Sequence, residues 1–144
     1  MNKEIQIREI SKEDFNAITE LTNMLGANVS SDIVKNQIVE VLLNPDHFAL
    51  VALRNNRIIA YIHWFKAIRL TSKPFLEICG LIVQEDERRN GIGKLLVQKV
   101  ESLNNDISKI RVRCNSKREM AHQFYDKLNY TLKKDQKIFE KKST

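Results

Sequence analysis

An α/β fold, with helices packed on one sheet, is predicted by three features of this 144-residue chain. Apolar residues recur with a period of two in some segments and about 3.6 in others. Turn-forming residues mark each change of period. The strand, loop and helix running from Phe75 to Leu103, followed by a further strand, form a crossover whose outer strands should lie parallel.

Taken in order, Ile5 and Ile7 alternate with polar neighbours and predict a first strand. Ser11 and Asp14 form a capping box for a helix bearing Phe15, Ile18, Leu21 and Leu25, which Gly26-Ala27-Asn28 ends. A second helix starts near Ser31, carries Val34, Ile38, Val41 and Leu42, and stops at Asn44-Pro45-Asp46. Residues 48–53 and 58–68 flank Arg54-Asn55-Asn56-Arg57, whose central asparagines tolerate positive φ, so a β-hairpin is expected. Thr71-Ser72-Lys73-Pro74 makes the next turn. In the strand from Phe75, Glu77 shares a face with Phe75, Cys79, Leu81 and Val83, and Gly80 marks a bulge or a close backbone approach. Ile92, Leu95, Leu96, Val100 and Leu103 form a helical stripe. Residues 107–113 read as a strand and 117–128 as a last helix capped by Asn129. Residues 130–140 read as a closing hairpin. The expected architecture is a central, mixed, mostly antiparallel twisted sheet of about six to seven strands, flanked by about four helices, in one domain spanning residues 1–144.

Composition narrows the function. The chain is 42% hydrophobic and 29% charged, the balance of a globular domain. No apolar run approaches the roughly 20 residues of a membrane span, and Met1-Asn2-Lys3-Glu4 lacks a signal peptide's apolar region, so no membrane is expected and the cytoplasm is the expected location. Cys79 and Cys114 are expected as reduced thiols, and no metal site is predicted. The net charge of +6 suits a polyanionic partner, but basic residues alternate with acids instead of forming a block, so no nucleic acid is expected. A homodimer is compatible with the sequence.

The chemistry concentrates in Arg88-Arg89-Asn90-Gly91-Ile92-Gly93-Lys94. Two glycines one residue apart let backbone approach a ligand, and the first amides of the following helix favour an anion. Basic residues crowd a helix end that ordinarily prefers acids, which makes sense if an external anion is expected. A P-loop would need Gly at 88 and Ser or Thr at 95, where Arg88 and Leu95 stand, and a dinucleotide fingerprint would need Gly at 96, where Leu96 stands.

What remains is Arg88-x-x-Gly91-x-Gly93 after a bulged strand and at the head of a helix. It resembles the signature loop of the GCN5-related N-acetyltransferases (GNAT), and the element order resembles theirs over essentially the whole chain. The segment from Arg118 through Ala121-His122-Gln123-Phe124-Tyr125 to Leu128-Asn129-Tyr130 is also family-like, with Asn129 where many relatives have glycine. The resemblance implies that acetyl-CoA is the acyl donor. It implies that the backbone of Leu81, Ile82 and Val83 pairs with the pantetheine arm and that the loop from Arg88 to Lys94 cradles the pyrophosphate. Either Asn115 or Arg118 would take a further position on the cofactor.

The same resemblance gives Tyr125 the role of general acid toward the departing thiolate and leaves His122 structural. A carboxylate on an apolar strand face is either paired or kept for chemistry. Histone acetyltransferases of the superfamily use a glutamate at the offset of Glu77 as general base, which makes Glu77 the candidate base here, with a water chain as the alternative. An amine with a pKa of about 10 must lose a proton before it attacks. No histidine near Cys79 in sequence signals an activated thiol, so direct attack on acetyl-CoA by an amine is the expected route. A non-catalytic acyl-CoA sensor is the competing class.

Overall fold

The computed structural model describes residues 4–114 and 116–143. The chain divides into two compact units, Met1–Arg113 and Cys114–Thr144.

The first unit holds strands β1 (Gln6–Glu9), β2 (His47–Arg54), β3 (Arg57–Arg69), β4 (Ser72–Val83) and β5 (Ile110–Val112), with helices α1 (Phe15–Asn23), α2 (Ser31–Leu43) and α3 (Ile92–Leu103). The strands form one sheet in the order β1-β2-β3-β4-β5. Pairing is antiparallel from β1 to β4 and parallel between β4 and β5. The change of sense follows from the connection: β4 returns to β5 through α3, the crossover that a parallel pair requires.

Local chemistry sets the element ends. Ser11 and Asp14 make the capping box, with the Ser11 amide donating to the Asp14 carboxylate at 2.8 Å. Arg8 clamps that carboxylate with two hydrogen bonds of 2.8 and 3.0 Å. Burial works against ionisation of Asp14, but the hydrogen bonds from Arg8 and the Ser11 amide outweigh it and hold the carboxyl below its usual range. Ser30 caps α2, accepting from the Ile33 amide at 3.3 Å. Asn55 and Asn56 adopt φ of +53° and +63° between β2 and β3, as the hairpin reading required.

The sheet is apolar on both faces. On one face Ile18, Val34 and Ile38 of α1 and α2 pack with Ala49, Val51 and Leu53. On the other, α3 buries Ile92, Leu96, Val97 and Val100. Full burial of one such side chain contributes on the order of 1.5–3 kcal/mol, so these two layers hold the platform on which β4 sits.

Three boundaries differ from expectation. β4 begins at Ser72 and runs through Pro74, because pairing with β5 starts only at Leu76 and leaves the proline with no ladder bond to donate on that side. β5 is shorter than residues 107–113, because the Ile107 amide still bonds Asn104 carbonyl oxygen at 3.1 Å in the turn after α3. Among the described residues the sheet has five strands instead of six or seven, since residues 130–140 form no hairpin. Their run Lys133-Lys134-Asp135-Gln136-Lys137 lacks the alternation that gives a strand a buried face.

The second unit contains α4 (Glu119–Lys127). Asn129 at φ +69° closes it in the left-handed conformation expected, and the Tyr130 amide donates to the Tyr125 carbonyl at 3.0 Å.

Candidate active site

Two features shape the candidate donor side, and both are made of backbone. The first is a fork in the sheet. β4 and β5 pair at Leu76↔Ile110, Glu77↔Arg111 and Ile78↔Val112, and no further. Beyond that point Leu81, Ile82 and Val83 are paired to β3 on one side, while β5 has ended on the other. Their outward peptide groups are those an extended polar ligand could join as an added strand.

The second feature is the turn into α3. Arg89 and Gly91 have φ of +71° and +79°, which directs the chain into the helix at Ile92. A Cβ at Gly91 would meet nothing within 4 Å, so glycine is needed there for its backbone angle and not for space. The amide of Leu95 is the first to bond within the helix, to Gly91 at 2.9 Å. Those of Ile92, Gly93 and Lys94 precede it, and no side chain among the described residues caps them. The loop is tethered: Arg88 Nε donates to the Val83 carbonyl at 3.2 Å, and Arg54 Nε donates to both Glu87 oxygens at 3.2 Å. Asn90 Nδ2 donates to Glu87 Oε1 at 3.3 Å. With no acid in its first turn, the start of α3 presents open amides and positive charge, which fits a pyrophosphate.

The middle of β4 is built from side chains. Cys79 is the extra residue of a bulge, since His63 pairs with Gly80 and Trp64 with Ile78. The bulged strand near Gly80 is therefore present. Two residues earlier, Glu77 is 6% exposed and accepts a hydrogen bond from Arg113 Nε at 3.0 Å on Oε2. Its Oε1 is buried and has no hydrogen-bond partner among the described residues. That oxygen is an acceptor in need of a donor, and an ammonium or a water would supply one.

Cys79 departs from expectation. Its sulfur lies 3.2 Å from His63 Nδ1, and His63 Nε2 lies 3.0 Å from His47 Nδ1, so three strands contribute to one chain of polar groups. Sequence reasoning missed this partner because strand register, which brings positions 63 and 79 together, is not written in local spacing. The pair is not activated, however. Burial and then the neighbouring His47 push His63 down to about 4. Although Cys79 is exposed as a residue, burial of the thiol and then Glu77 push it up to about 11. At neutral pH the thiol keeps its proton and the imidazole carries no charge, the reverse of a thiolate–imidazolium nucleophile.

In the second unit, Tyr125 packs edge-on against Phe124 and Tyr130, with ring centroids 5.0 and 5.9 Å away. Burial, with the Cys114 thiol adding to it and Arg118 opposing, raises its hydroxyl to about 12. It is thus a proton donor throughout the physiological range. Arg118 immediately precedes α4. Asn115 lies outside the described residues. Among the described residues no three His, Cys, Asp or Glu side chains are arranged to hold a metal ion, and no helix is long and apolar enough to cross a membrane.

A profile of the acetyltransferase (GNAT) domain matches residues 8–142. No curated protein matches the sequence. Solved structures do match its fold. The aminoglycoside N-acetyltransferase AAC(6')-Iy in complex with CoA superposes with a TM-score of 0.86 at 15% identity, covering 99% of this chain and 98% of that one. The aminoglycoside 6'-N-acetyltransferase AAC(6')-Ih from Acinetobacter baumannii gives 0.84 at 18% identity, covering 98% and 100%. A transcriptional regulator from Bacillus halodurans C-125 gives 0.82 at 16% identity, covering 95% and 99%. With the family profile spanning nearly the whole sequence, the chain belongs to the GNAT acetyltransferase family.

Proposed function

We propose that this protein transfers an acetyl group from acetyl-CoA to a primary amine, by direct attack within a ternary complex. The observation that carries the reading is the fork beyond Ile78 and Val112, which leaves the outer edge of Leu81–Val83 open next to the tethered turn of residues 88–94. The open strand edge suits the amides of a pantetheine arm, and the turn suits its pyrophosphate.

In this reading Glu77 takes the amine's proton, directly or through water, and its unpartnered Oε1 supports that role. An amide near Ile82 or Val83 stabilises the oxyanion. Tyr125 protonates the leaving thiolate, a role supported by its family-like segment and its retained proton. Asn115 or Arg118 adds a contact to the donor. The neutral Cys79–His63 pair supports direct transfer over an acyl-cysteine.

The proposal covers residues 1–144 as one catalytic domain in the cytoplasm, where two free thiols are at home. It includes a homodimer, supported by the exposure of Leu132, Ile138 and Phe139. The test is acetyl-CoA consumption across a panel of amines, amino acids and peptides. Tyr125→Phe should lower kcat by about 10²–10⁴ on a responsive amine while leaving acetyl-CoA affinity intact. An undiminished rate would remove Tyr125 as the acid.

A second reading, an acyl-CoA sensor, is favoured by one observation: the same fold serves the Bacillus halodurans regulator. It predicts acetyl-CoA binding with no acceptor turnover.

A further inference from the structure

β5 and the residue on either side of it carry an alternating stripe, Lys109-x-Arg111-x-Arg113, which sets three basic side chains on one face, beside Glu77 of β4. Arg113 goes to Glu77. The others converge on Phe75, two residues before Glu77 on the same face: Arg111 Cζ is 4.6 Å, Lys109 Nζ 4.8 Å and Arg69 Cζ 5.6 Å from the ring centroid. None of Arg69, Lys109 and Arg111 joins an ion pair among the described residues.

Charges on an edge strand discourage unwanted strand pairing, and that alone would explain a basic β5. It requires only that the side chains spread into water. Here they gather instead around one ring that is 2% exposed, close enough for their fields to overlap within about one Debye length of 8–10 Å. Cation–π attraction to the ring repays part of the repulsion. The arrangement is thus a standing concentration of positive charge near a buried carboxylate whose Oε1 has no hydrogen-bond donor among the described residues.

We propose that this face is the acceptor subsite for a primary amine that also carries a carboxylate, with Arg111, assisted by Lys109 and Arg69, on the carboxylate and Glu77 on the amine. The inference rests on the N-acetyltransfer reading and names its acceptor class. Glu77 and Arg111 are direct cross-strand partners, so an anionic and a cationic side chain rise on the same face from adjacent strands whose backbones lie about one strand spacing, ~4.8 Å, apart. A polycationic acceptor, such as the aminoglycosides named for several structures of this fold, would meet like charge here.

The test compares matched pairs that differ only in the carboxylate: tyrosine with tyramine, histidine with histamine, lysine with cadaverine. Counted on the free-amine form, kcat/KM should favour the acids by about tenfold or more at low salt, with the preference shrinking as salt rises. Arg111→Gln should collapse the preference by lowering kcat/KM for the acids far more than for the decarboxylated amines, and Arg111→Lys should restore part of it. Equal or better turnover of the decarboxylated amines overturns the proposal, as does an Arg111→Gln loss shared by both members of each pair. If no amine is acetylated while acetyl-CoA still binds, the transfer reading fails. The subsite is then decided by titrating N-acetyltyrosine and N-acetyltyramine. Arg111-dependent binding of the acid alone sustains the subsite, and equal or absent binding removes it.

Discussion

β4 carries two sites of opposite construction. Toward its C-terminal end, Leu81–Val83 and the turn into α3 offer peptide groups and a left-handed Gly91, so the donor site we propose is built of backbone. In its middle, Glu77, Arg113, Arg111 and Phe75 define a surface almost wholly by side chains. The contrast has a physical reason. Every donor molecule presents the same pantetheine and pyrophosphate, which strand edges and helix amides can recognise in any sequence that folds this way. An acceptor surface made of side chains can change without disturbing the sheet.

The largest expected effect breaks the side-chain half. Glu77→Gln keeps the shape but cannot take a proton, so kcat should fall by about 10²-fold or more while acetyl-CoA affinity stays within threefold. Steady-state kinetics together with titration of acetyl-CoA separates the two. Part of the loss should return at higher pH, where more amine is free. If acetyl-CoA binding falls as far as kcat, the two halves of β4 do not work independently.

The same division explains what could be read from sequence. The proposed donor side has local signals: Gly91 and Gly93 lie in one short run, and failed matches at Arg88, Leu95 and Leu96 removed two nucleotide-binding signatures. Element order followed from periodicity in the same way, and even Asn55-Asn56 announced its turn. Glu77 stood out as a carboxylate on an apolar strand, but its partner Arg113 did not, because the two lie 36 positions apart and meet through the parallel register of β4 and β5. His63 was missed for Cys79 for the same reason. The Lys109-x-Arg111-x-Arg113 alternation was a usable signal, since a period of two sets all three on one strand face. Convergence of their side chains on Phe75 depends on packing that no spacing encodes.

A change of intermediate size breaks the backbone half. Gly91→Val forces a β-branched residue to hold φ near +79°, which costs on the order of 1–3 kcal/mol. Because a Cβ there meets no neighbour, the cost is conformational. If the turn relaxes, the amides at the head of α3 move, and acetyl-CoA affinity should drop about five- to thirtyfold with little change in how saturated enzyme handles its amine. If the turn holds, the same cost appears as a lower Tm. Calorimetry and thermal melts read both, and a variant unaffected in either would show that the left-handed turn is not what the donor needs.

The smallest expected effect distinguishes charge from backbone on the donor side itself. Arg89 holds φ at +71°, a conformation that costs a residue with a Cβ roughly 1–2 kcal/mol. Arg89→Gly relieves that strain but loosens the unfolded chain, an opposing term of about 0.5–1 kcal/mol, so stability should change by about 0–1.5 kcal/mol, upward if at all. The substitution also removes one positive charge at the head of α3. Where open amides and the turn dominate recognition, an exposed guanidinium contributes about 0–1 kcal/mol, so acetyl-CoA affinity should fall less than about fivefold. Titration at low and high salt measures it, since a charge contribution fades with screening. A loss as large as that of Gly91→Val, confined to low salt, would mean that the donor is held by side-chain charge after all, and the two ends of β4 would then differ in position and not in kind.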